Sequence, residues 1–404
     1  MSRFIPSDAE RPDLALLIPS YAGGGAERIA LFLARTLAEA GLHVDLVVAR
    51  RTGELRDEPL PGVTRVELGA VNEILAAPAW VRYLERVRPR CAMSMIHTAN
   101  FTSGLGRLFV PEVPVIVNLR IALDCEREAK WWVRRWFGFG PERALHKRAA
   151  RVVGVSKGLA EEAVEILALP RDRVLAIPNP RSSRETSPNV AVEHEPLFDK
   201  PVVLGVGRLT PQKDFSTLLR AFAQVTEAPE MRLVILGDGP ERESLSRQAE
   251  ALGLGARVFL PGFVPNPQAY MRRARVFVLS SRNEGFPGVL IEAMEADAPI
   301  VATDCHFGPR EILDEGRFGR LVEVGDVLAL AAALRAELAA PDIGPEARHA
   351  ERADWMRQYD PEVITGRYLE LIREVIEESE RESGERSARL GRHGKEGEYD
   401  EDII

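Results

Sequence analysis

The sequence predicts two doubly wound α/β domains in tandem. Short apolar segments alternate with helical segments along its 404 residues, a pattern typical of a parallel sheet with helices on both faces. The apolar segments contain no regularly spaced polar residues, as expected for strands that are buried on both faces. The alternation stops at residues 179–200, a polar segment rich in Pro, Ser and Glu, and then starts again. This interruption indicates a linker between two domains.

The first domain is predicted to span residues 1–185. A glycine cluster at residues 23–25 follows its first strand, and the apolar residues behind the cluster have the spacing of one helix face. Strand, glycine turn and helix therefore form the first unit of the sheet. The strands are expected at residues 13–19, 43–49, 64–68, 91–96, 113–119 and 151–155.

The second domain is predicted to span residues 186–345. Two helices, at residues 347–358 and 361–378, are predicted in the segment 346–379 that follows it. Residues 380–404 are polar and charged with almost no core-forming side chains, so we expect a disordered tail. The strands of the second domain are expected at residues 201–206, 231–236, 257–259, 275–279, 299–302 and 319–322.

Composition and charge restrict the function. Apolar residues make up 45% of the chain and charged residues 28%, which is typical of a globular protein with a sizeable core. The net charge of −8 argues against nucleic acid as a partner. The charge is unevenly distributed, because residues 1–185 hold 27 Lys and Arg against 22 Asp and Glu, whereas residues 186–404 hold 26 against 39. A basic first domain suits a negatively charged substrate or membrane surface.

Hydrophobic segments and cysteines in the sequence indicate where in the cell the protein is located. No apolar run is long enough to span a membrane, and the N-terminus has no apolar core of a secretory signal. The three cysteines lie far apart and form no disulfide framework. We therefore expect a cytoplasmic protein.

The strongest motif lies between the fourth strand of the second domain and the next helix. Pro287 suits a first helical turn, because its missing N–H would have no partner there. The free N–H groups near Gly285 and Phe286 and the positive end of the helix favour an anion. Glu284 precedes this helix start and Glu292 follows inside the helix, and a carboxylate can accept hydrogen bonds from a vicinal diol. The motif suits a phosphate group with a sugar at one end and a ribose at the other.

A second motif follows the first strand of the second domain. Gly207 permits a close backbone approach, and Arg208 and Lys213 supply two cations for a phosphate group. Thr210 stands where a dinucleotide fingerprint has its third glycine, which disfavours NAD binding. The chain also lacks the GxxxxGK[ST] motif of P-loop enzymes. In the first domain, the glycine cluster with Gly24 and Gly25 can likewise expose backbone N–H groups at the carboxyl edge of the sheet.

These motifs, in this order, resemble the retaining glycosyltransferases of family 4, which have the GT-B fold. The resemblance covers roughly residues 13–375 and is most specific at Glu284 and Glu292, supported by Arg208 and Lys213. It implies two Rossmann-like domains that face each other across a cleft, with C-terminal helices that cross back to the first domain. Further matches lie at residues 177–180, 236–240, 262–264 and 303–313, and the last of these, with the segment 24–28, is similar to a subgroup that builds bacterial surface polysaccharides and lipid-linked oligosaccharides.

The resemblance implies a role for each matched position. Arg208 and Lys213 would neutralise the diphosphate of the donor, and Glu292 would accept the ribose hydroxyls. Glu284 and the backbone of residues 285–287 would hold the transferred sugar, and the backbone near Val264 would meet the base. The donor-binding positions are predicted to be Gly24, Gly25, Gly207, Asp238, Val264, Gly285, Phe286, Pro287 and Glu292.

The chain departs from the family at one position. Many members carry a histidine at the end of the fifth strand of the first domain, whereas Arg120 takes that place here. Arg120 is therefore a candidate catalytic residue, as a ligand of phosphate or of the acceptor. His97 and Asn100, which follow the preceding strand, are candidates for contact with the acceptor. Whether His97 or Arg120 replaces the family histidine is left open by the sequence.

Residues 126–151 form a basic and aromatic segment. Eight Lys and Arg stand there against three Glu, and three of the aromatic residues (Trp132, Trp136 and Phe139) share one helix face. This composition is typical of a segment that lies on anionic lipid. Packing of these aromatics into the first domain is the alternative interpretation. The inner face of the membrane is thus a candidate place of action.

The resemblance implies transfer of a sugar from a nucleoside diphosphate sugar, with a UDP-sugar favoured, to a hydroxyl group of a glycan or lipid-linked acceptor. It implies no cofactor, and since no DxD-type carboxylate pair is evident, we expect no metal. A nucleotide-sugar epimerase, a sugar phosphorylase or a non-catalytic partner in a glycan-assembly complex are the alternatives. The sequence does not determine the base, the sugar, the acceptor, the linkage or the oligomeric state.

Overall fold

Two parallel sheets organise the chain in the computed structural model, which describes residues 11–72, 74–122, 140–181, 189–341 and 344–396. The N-terminal sheet has seven strands in the order β3-β2-β1-β4-β5-β6-β7. Its strands are β1 (Leu14–Ile18), β2 (Val44–Val48), β3 (Val63–Glu67), β4 (Cys91–Met95), β5 (Val115–Leu119), β6 (Arg151–Gly154) and β7 (Val174–Ala176).

The C-terminal sheet has six strands in the order β10-β9-β8-β11-β12-β13. All strand pairs in both sheets are parallel. The predicted α/β class with two doubly wound domains is therefore confirmed. The strands are β8 (Val202–Val206), β9 (Arg232–Leu236), β10 (Val258–Gly262), β11 (Val276–Leu279), β12 (Ile300–Thr303) and β13 (Arg320–Val322).

Helices connect the strands and cover the sheets. In the N-terminal part they are α1 (Gly25–Glu39), α2 (Ala77–Val87), α3 (His97–Phe109), α4 (Gly140–His146) and α5 (Lys157–Leu167). In the C-terminal part they are α6 (Phe215–Ala223), α7 (Arg242–Ala251), α8 (Pro267–Arg273), α9 (Gly288–Glu295), α10 (Pro309–Ile312), α11 (Val327–Ala339), α12 (Pro345–Met356) and α13 (Pro361–Glu396). Short 3₁₀ turns lie at Glu54–Asp57, Ile74–Ala76, Arg171–Arg173, Val192–Asp199 and Arg357–Tyr359.

Burial explains why the apolar segments are strands. Every residue of β1, β2, β4 and β5 is buried, including the side chains on both faces. The sequence prediction lacks β7, which is only three residues long and half-buried at the sheet edge. So short a segment has no measurable periodicity, and its pairing with β6 across the sheet decides its conformation.

The long helix α13 crosses back onto the N-terminal domain. Its apolar face, including Tyr368 and Ile372, is buried in the same hydrophobic cluster as β1, β2 and β4. Ion pairs fix it further along: Arg151 contacts Glu374 and Glu378 at 2.8 and 2.7 Å. The crossing that the GT-B fold requires is thus present, and it returns the chain to the first sheet.

The helix also continues into the segment for which disorder is predicted. It runs to Glu396, and Glu380 pairs with Arg90 at 2.8 Å. The residues beyond Glu378 are mostly good helix formers, and they extend an existing helix, which needs no new nucleation. Residues 397–404 lie outside the described part of the chain.

Two other sequence predictions fall partly outside the described residues. Residues 123–139, which hold the aromatic part of the predicted lipid-binding segment 126–151, are among those not described, as are residues 182–188 of the predicted linker. The rest of the linker folds onto the second domain, where His194 Nδ1 lies 2.6 Å from the hydroxyl of Tyr270. Among the helices that the structure describes, none combines the length and apolar character needed to cross a membrane.

Candidate functional site

The strand order places the predicted motifs at one point of each sheet. The order reverses between β1 and β4 in the first sheet and between β8 and β11 in the second. In open α/β sheets, ligands bind outside the carboxyl ends of the strands at such a switch point. The loops that follow these four strands hold the glycine cluster, His97, the Arg208–Lys213 motif and the Glu284 motif. The fold therefore directs all of them to the ligand-binding edges.

The loops after β8 and β11 are joined by hydrogen bonds. Ser280 Oγ donates to the Lys213 carbonyl at 2.8 Å, and the Arg282 N–H donates to the Gln212 carbonyl at 2.8 Å. Gln212 Nε2 donates to the Asn283 carbonyl at 3.0 Å. Two motifs about 70 residues apart in the chain thus form one rigid unit.

Lys213 and Glu284 meet inside this unit. Lys213 Nζ lies 2.6 Å from Glu284 Oε1, which also accepts a hydrogen bond from Ser281 Oγ at 2.7 Å. Both charged side chains are largely buried, at 14% and 9% exposure. A buried ion pair of this kind places both groups accurately for a ligand at the loop surface. Arg208 is exposed at the same loop and has no ion pair among the described residues, so it adds an uncompensated positive charge.

A second set of loops brings Gly207, Asp238 and Val264 to the same edge. The Gly207 N–H donates to the Leu236 carbonyl at 2.9 Å, and the Gly237 N–H donates to the Gly262 carbonyl at 2.8 Å. Gly237 has φ +132°, and a Cβ there would lie 2.0 Å from the Gly207 oxygen, so only glycine allows this approach. Asp238 is exposed, and Val264 is buried.

The start of α9 has free backbone donors. Its N-cap is Pro287, and no side chain caps the helix. A Cβ on Gly288 would meet none of the described residues within 4 Å, so this part of the chain leaves the space beside the first turn open. Phe286 is buried against the Tyr359 ring, with the ring centroids 5.7 Å apart. The first turn is therefore fixed from behind and accessible in front.

Glu292 lies in the second turn of α9. Burial raises the pKa of its carboxyl group to about 7, and the negative charge of Glu295 contributes to the rise. Groups with strongly shifted pKa values are concentrated at functional sites, which makes Glu292 a candidate site residue.

Arg120 belongs to the first domain but contacts the loop before α9. A Cβ on Gly285 would lie 2.1 Å from the Arg120 carbonyl oxygen. The Arg120 guanidinium donates to Asn179 Oδ1, and Asn179 Nδ2 in turn donates to the Phe286 carbonyl at 3.3 Å. Burial lowers the pKa of Arg120. Of the predicted residues in the first domain, Arg120 is thus the one that the structure joins directly to the second-domain site.

The glycine cluster of the first domain lies at the start of α1. A Cβ on Gly23 would overlap the Glu54 carboxylate, whereas a Cβ on Gly25 would meet nothing within 4 Å. Gly24 is the N-cap, and no side chain caps the helix there. The Glu54 carboxylate is the exposed end of a flexible side chain and can shift, so packing alone does not require glycine at residue 23. Among the described residues, Gly25 leaves an open backbone surface at the switch point.

His97 and Asn100 differ in their surroundings. His97 is half-buried at the start of α3, directly after Ile96, whose φ of 78° is unusual for a β-branched residue. Strained backbone of this kind is concentrated at functional sites. Asn100 is buried, and its Nδ2 donates to the Asn118 carbonyl at 2.7 Å, a contact that joins α3 to β5.

Sequence reasoning did not assign Asn179, Ser281 or Tyr368 to the site. Ser281 bonds to Glu284, and Tyr368 lies beside Arg120, with its hydroxyl donating to Asn118 Oδ1 at 2.7 Å. Asn179 lies in one of the segments that carry the family resemblance, and this position was the one indication in the sequence that it belongs to the site. In the described part of the chain, no three His, Cys, Asp or Glu side chains gather into a possible metal site.

Family models match both halves of the chain. Residues 24–180 match the model described as glycosyl transferase 4-like domain, and residues 191–353 match the model described as glycosyl transferases group 1. Together these matches include the loops of the site described above.

Relatives of known activity are similar over most of the chain. The lipopolysaccharide core biosynthesis glycosyltransferase LpsE of Rhizobium meliloti is 27% identical, over 86% of this chain and 96% of its own length. An N-acetylgalactosaminyltransferase of Campylobacter jejuni that acts on a diphospho-undecaprenol-linked sugar is 29% identical, over 57% of this chain and 61% of its own.

Solved structures share the fold. HepE of Anabaena in complex with UDP and glucose superimposes with a TM-score of 0.73 at 19% identity, over 89% of this chain and 99% of that one. The apo form of the lipopolysaccharide outer core galactosyltransferase WaaB has a TM-score of 0.68 at 18% identity, over 88% and 97%.

Proposed function

Because the chain belongs to the group 1 glycosyltransferases and has their GT-B fold, we propose that it transfers a sugar from a nucleoside diphosphate sugar to a hydroxyl group of a glycan or lipid-linked acceptor, with retention at the anomeric carbon. The observation that carries the proposal is the buried Lys213–Glu284 pair beside the open start of α9. Cation, carboxylate and helix dipole meet there in one rigid unit, which suits a phosphate attached to a sugar.

UDP is the favoured nucleotide. HepE, which shares the fold, has been solved with UDP, with UDP and glucose, and with UDP-glucose. In this chain we assign binding of the base to the loop around Val264 and binding of the ribose to Glu292. We place Asp238, in the neighbouring loop, near the phosphates. Gly24, Gly25 and Gly207 would let the backbone approach the diphosphate.

The chemical task is to stabilise charge on a departing diphosphate. Arg208 and Lys213 supply positive charge, and the N–H groups of Gly285, Phe286 and Gly288 supply dipoles that need no reorganisation. Pro287 has no N–H, so its contribution is the fixed backbone angle at the helix start. Glu284, held by Lys213 and Ser281, would accept hydroxyls of the transferred sugar. Arg120 would add a third cation from the first domain.

The acceptor is assigned to the first domain. His97 and Asn100 follow β4 at its switch point, and His97 is the half-buried one of the two. Relatives act in lipopolysaccharide core synthesis and on a diphospho-undecaprenol-linked sugar, so a surface-glycan or lipid-linked acceptor is our choice.

The direct test is turnover of a panel of UDP-, GDP- and ADP-sugars by variants. Removing one preorganised charge donor typically costs about 2.7–4 kcal/mol of barrier, so Arg208→Ala and Lys213→Ala should each reduce turnover about a hundredfold or more. Arg247→Ala is the matched control, because Arg247 is an exposed arginine on α7 outside these loops. Near-normal turnover in both site variants would refute the assignment, and donor binding without any turnover would favour a non-catalytic partner.

We also propose that catalysis needs no divalent cation, since the two arginines without a carboxylate partner, Arg208 and Arg120, can stabilise the diphosphate charge together with Lys213 and the N–H groups at the start of α9. The same assay with EDTA tests this point. Full activity is expected, and a loss that Mn²⁺ or Mg²⁺ restores would contradict it.

Contact with the inner face of the membrane is proposed for residues 126–151. In the described part of this segment, Lys147 and Arg148 are exposed after α4. Binding to vesicles of anionic lipid should weaken with added salt and fall strongly in Arg134→Glu/Arg135→Glu. Sedimentation with vesicles measures this, neutral vesicles are the control, and unchanged binding by the double variant would contradict the proposal.

A further inference from the structure

The Arg120 guanidinium is surrounded by neutral groups. It donates to Asn179 Oδ1, its Nη2 lies 3.6 Å from Met95 Sδ, and the Tyr368 hydroxyl is its third neighbour. Its Nε is buried and has no hydrogen-bond partner in the part of the chain that the structure describes. None of the described Asp or Glu side chains forms an ion pair with it. A buried cation without a counter-ion is costly, which favours a site that an anion completes.

Asn179 joins this cation to the other domain. Its Oδ1 accepts from Arg120, and its Nδ2 donates to the Phe286 carbonyl, 107 residues away in the chain, at 3.3 Å. The Arg120 backbone packs on Gly285, where any side chain would collide with it. The side chain of Asn179 therefore fixes the guanidinium relative to the first turn of α9, across the domain boundary.

The neutral amide matters as much as its position. A carboxylate at residue 179 could accept from Arg120 equally well, but it would neutralise the charge. The amide holds the guanidinium in place and leaves its charge and its Nε–H for another group. Tyr368 is neutral as well: its hydroxyl donates to Asn118, and it lies beside the guanidinium without cancelling its charge.

We propose that Asn179 is a positioning residue, which together with Tyr368 holds Arg120 as an uncompensated cation that binds a phosphate group at the domain boundary. The phosphate belongs either to the diphosphate of the donor or to a diphosphate on a lipid-linked acceptor. This inference rests on the proposed function for its catalytic consequence, whereas the anion site itself does not depend on that function.

The experiment is Asn179→Asp, which keeps the shape of the side chain and adds one negative charge against Arg120. Affinity for inorganic pyrophosphate, measured by calorimetry, should fall about tenfold or more, because a charge-assisted contact is lost. Affinity for UDP is measured beside it, because it distinguishes the two sources of phosphate. Asn72→Asp makes the same change at an exposed first-domain residue that accepts from the Leu75 N–H, and it should leave both affinities unchanged.

A double-mutant cycle separates charge from structure. Asn179→Asp also gives up the contact with Phe286, but this loss is equal in the Arg120→Gln background. The effect of Asn179→Asp should therefore be strong in the wild-type background and nearly absent beside Arg120→Gln. An equal effect in both backgrounds, or unchanged affinity for pyrophosphate in Asn179→Asp, would overturn the inference.

The two sources of phosphate give different results. If the donor diphosphate binds, UDP affinity falls and the KM of the nucleotide sugar rises. If the acceptor diphosphate binds, UDP affinity is unchanged, pyrophosphate affinity falls, and the KM rises only for acceptors that carry a diphosphate. If the wild type transfers no sugar but loses pyrophosphate binding in Asn179→Asp, the proposed function fails and the anion site stands.

Discussion

Glu292 is a residue whose charge changes near neutral pH. Its pKa in the folded protein is raised to about 7, mainly by burial, so it binds a proton that the unfolded chain has already lost between about pH 4.5 and 7. The contribution to stability is present at low pH and is lost as the pH rises through the folded pKa. Glu292→Gln should therefore unfold at a higher temperature than the wild type at pH 8, and the advantage should disappear at pH 5.

The same substitution should weaken binding of the nucleotide donor. An ionised carboxylate accepts ribose hydroxyls better than an amide, so UDP affinity in the wild type should rise from pH 6 to pH 8 and be lower and nearly flat in Glu292→Gln. Glu295→Gln is a second test. Removal of this neighbouring negative charge should lower the pKa of Glu292, so UDP affinity should begin to rise at a lower pH. Thermal unfolding and calorimetry across this pH range measure both effects. Parallel pH profiles in wild type and Glu292→Gln would contradict the assignment.

Some residues of the site could be predicted from the sequence and others could not. Lys213 and Glu284 could be placed in one pocket from the sequence, because each follows a strand of the same parallel sheet and the strand order brings the two loops together. Asn179 could not be assigned a role, since its partners, Arg120 and Phe286, belong to different domains. Contacts across a domain boundary leave no periodic signal in the sequence.

At the scale of elements, the glycines at the two helix starts have different reasons to be glycine. A Cβ on Gly285 would strike the Arg120 backbone, whereas one on Gly25 would meet open space. Gly25→Ala should leave the unfolding temperature unchanged or slightly higher, because alanine favours the helix, but it should reduce turnover if the donor approaches the backbone there. Gly285→Ala should reduce both stability and turnover.

Gly366 provides the control for this comparison. It is an exposed glycine within α13, and a Cβ there also meets nothing within 4 Å. Gly366→Ala should stabilise the protein by about 0.5–1 kcal/mol without changing turnover. Thermal unfolding and the transfer assay distinguish the three variants. Full turnover by Gly25→Ala would show that the glycine cluster serves only the turn.

The elements that the sequence predicted correctly are those whose local pattern and tertiary contacts agree. The strands β1, β2, β4 and β5 are mostly apolar and are buried throughout. Local signal was insufficient for β7, which is defined by its pairing with β6, and for residues 380–396, whose polar composition indicates disorder but which continue a helix that begins in the core. In both cases an existing neighbour decides the structure.

At the scale of the whole molecule, α13 couples the two domains. It begins after Tyr359, which packs on Phe286 in the second domain, and its apolar face then completes the core of the first domain. Tyr368 brings the same helix to Arg120. The last helix of the fold therefore helps to support the site. Substitutions in the half of α13 that packs on the first domain should lower both the stability of the protein and its affinity for the donor.

Two changes in α13 test the contributions of its packed half and of its exposed end separately. Ile372 is fully buried, so Ile372→Ala should cost about 2–5 kcal/mol of stability and lower the unfolding temperature clearly. Termination after Arg381 retains the Arg151 and Arg90 ion pairs and removes a helical end that is exposed at residues 382–386, so it should change the unfolding temperature little. Thermal unfolding with and without UDP measures both. A large loss on termination would mean that residues 382–404 contribute packing, and an unaffected Ile372→Ala would mean that α13 does not support the first domain.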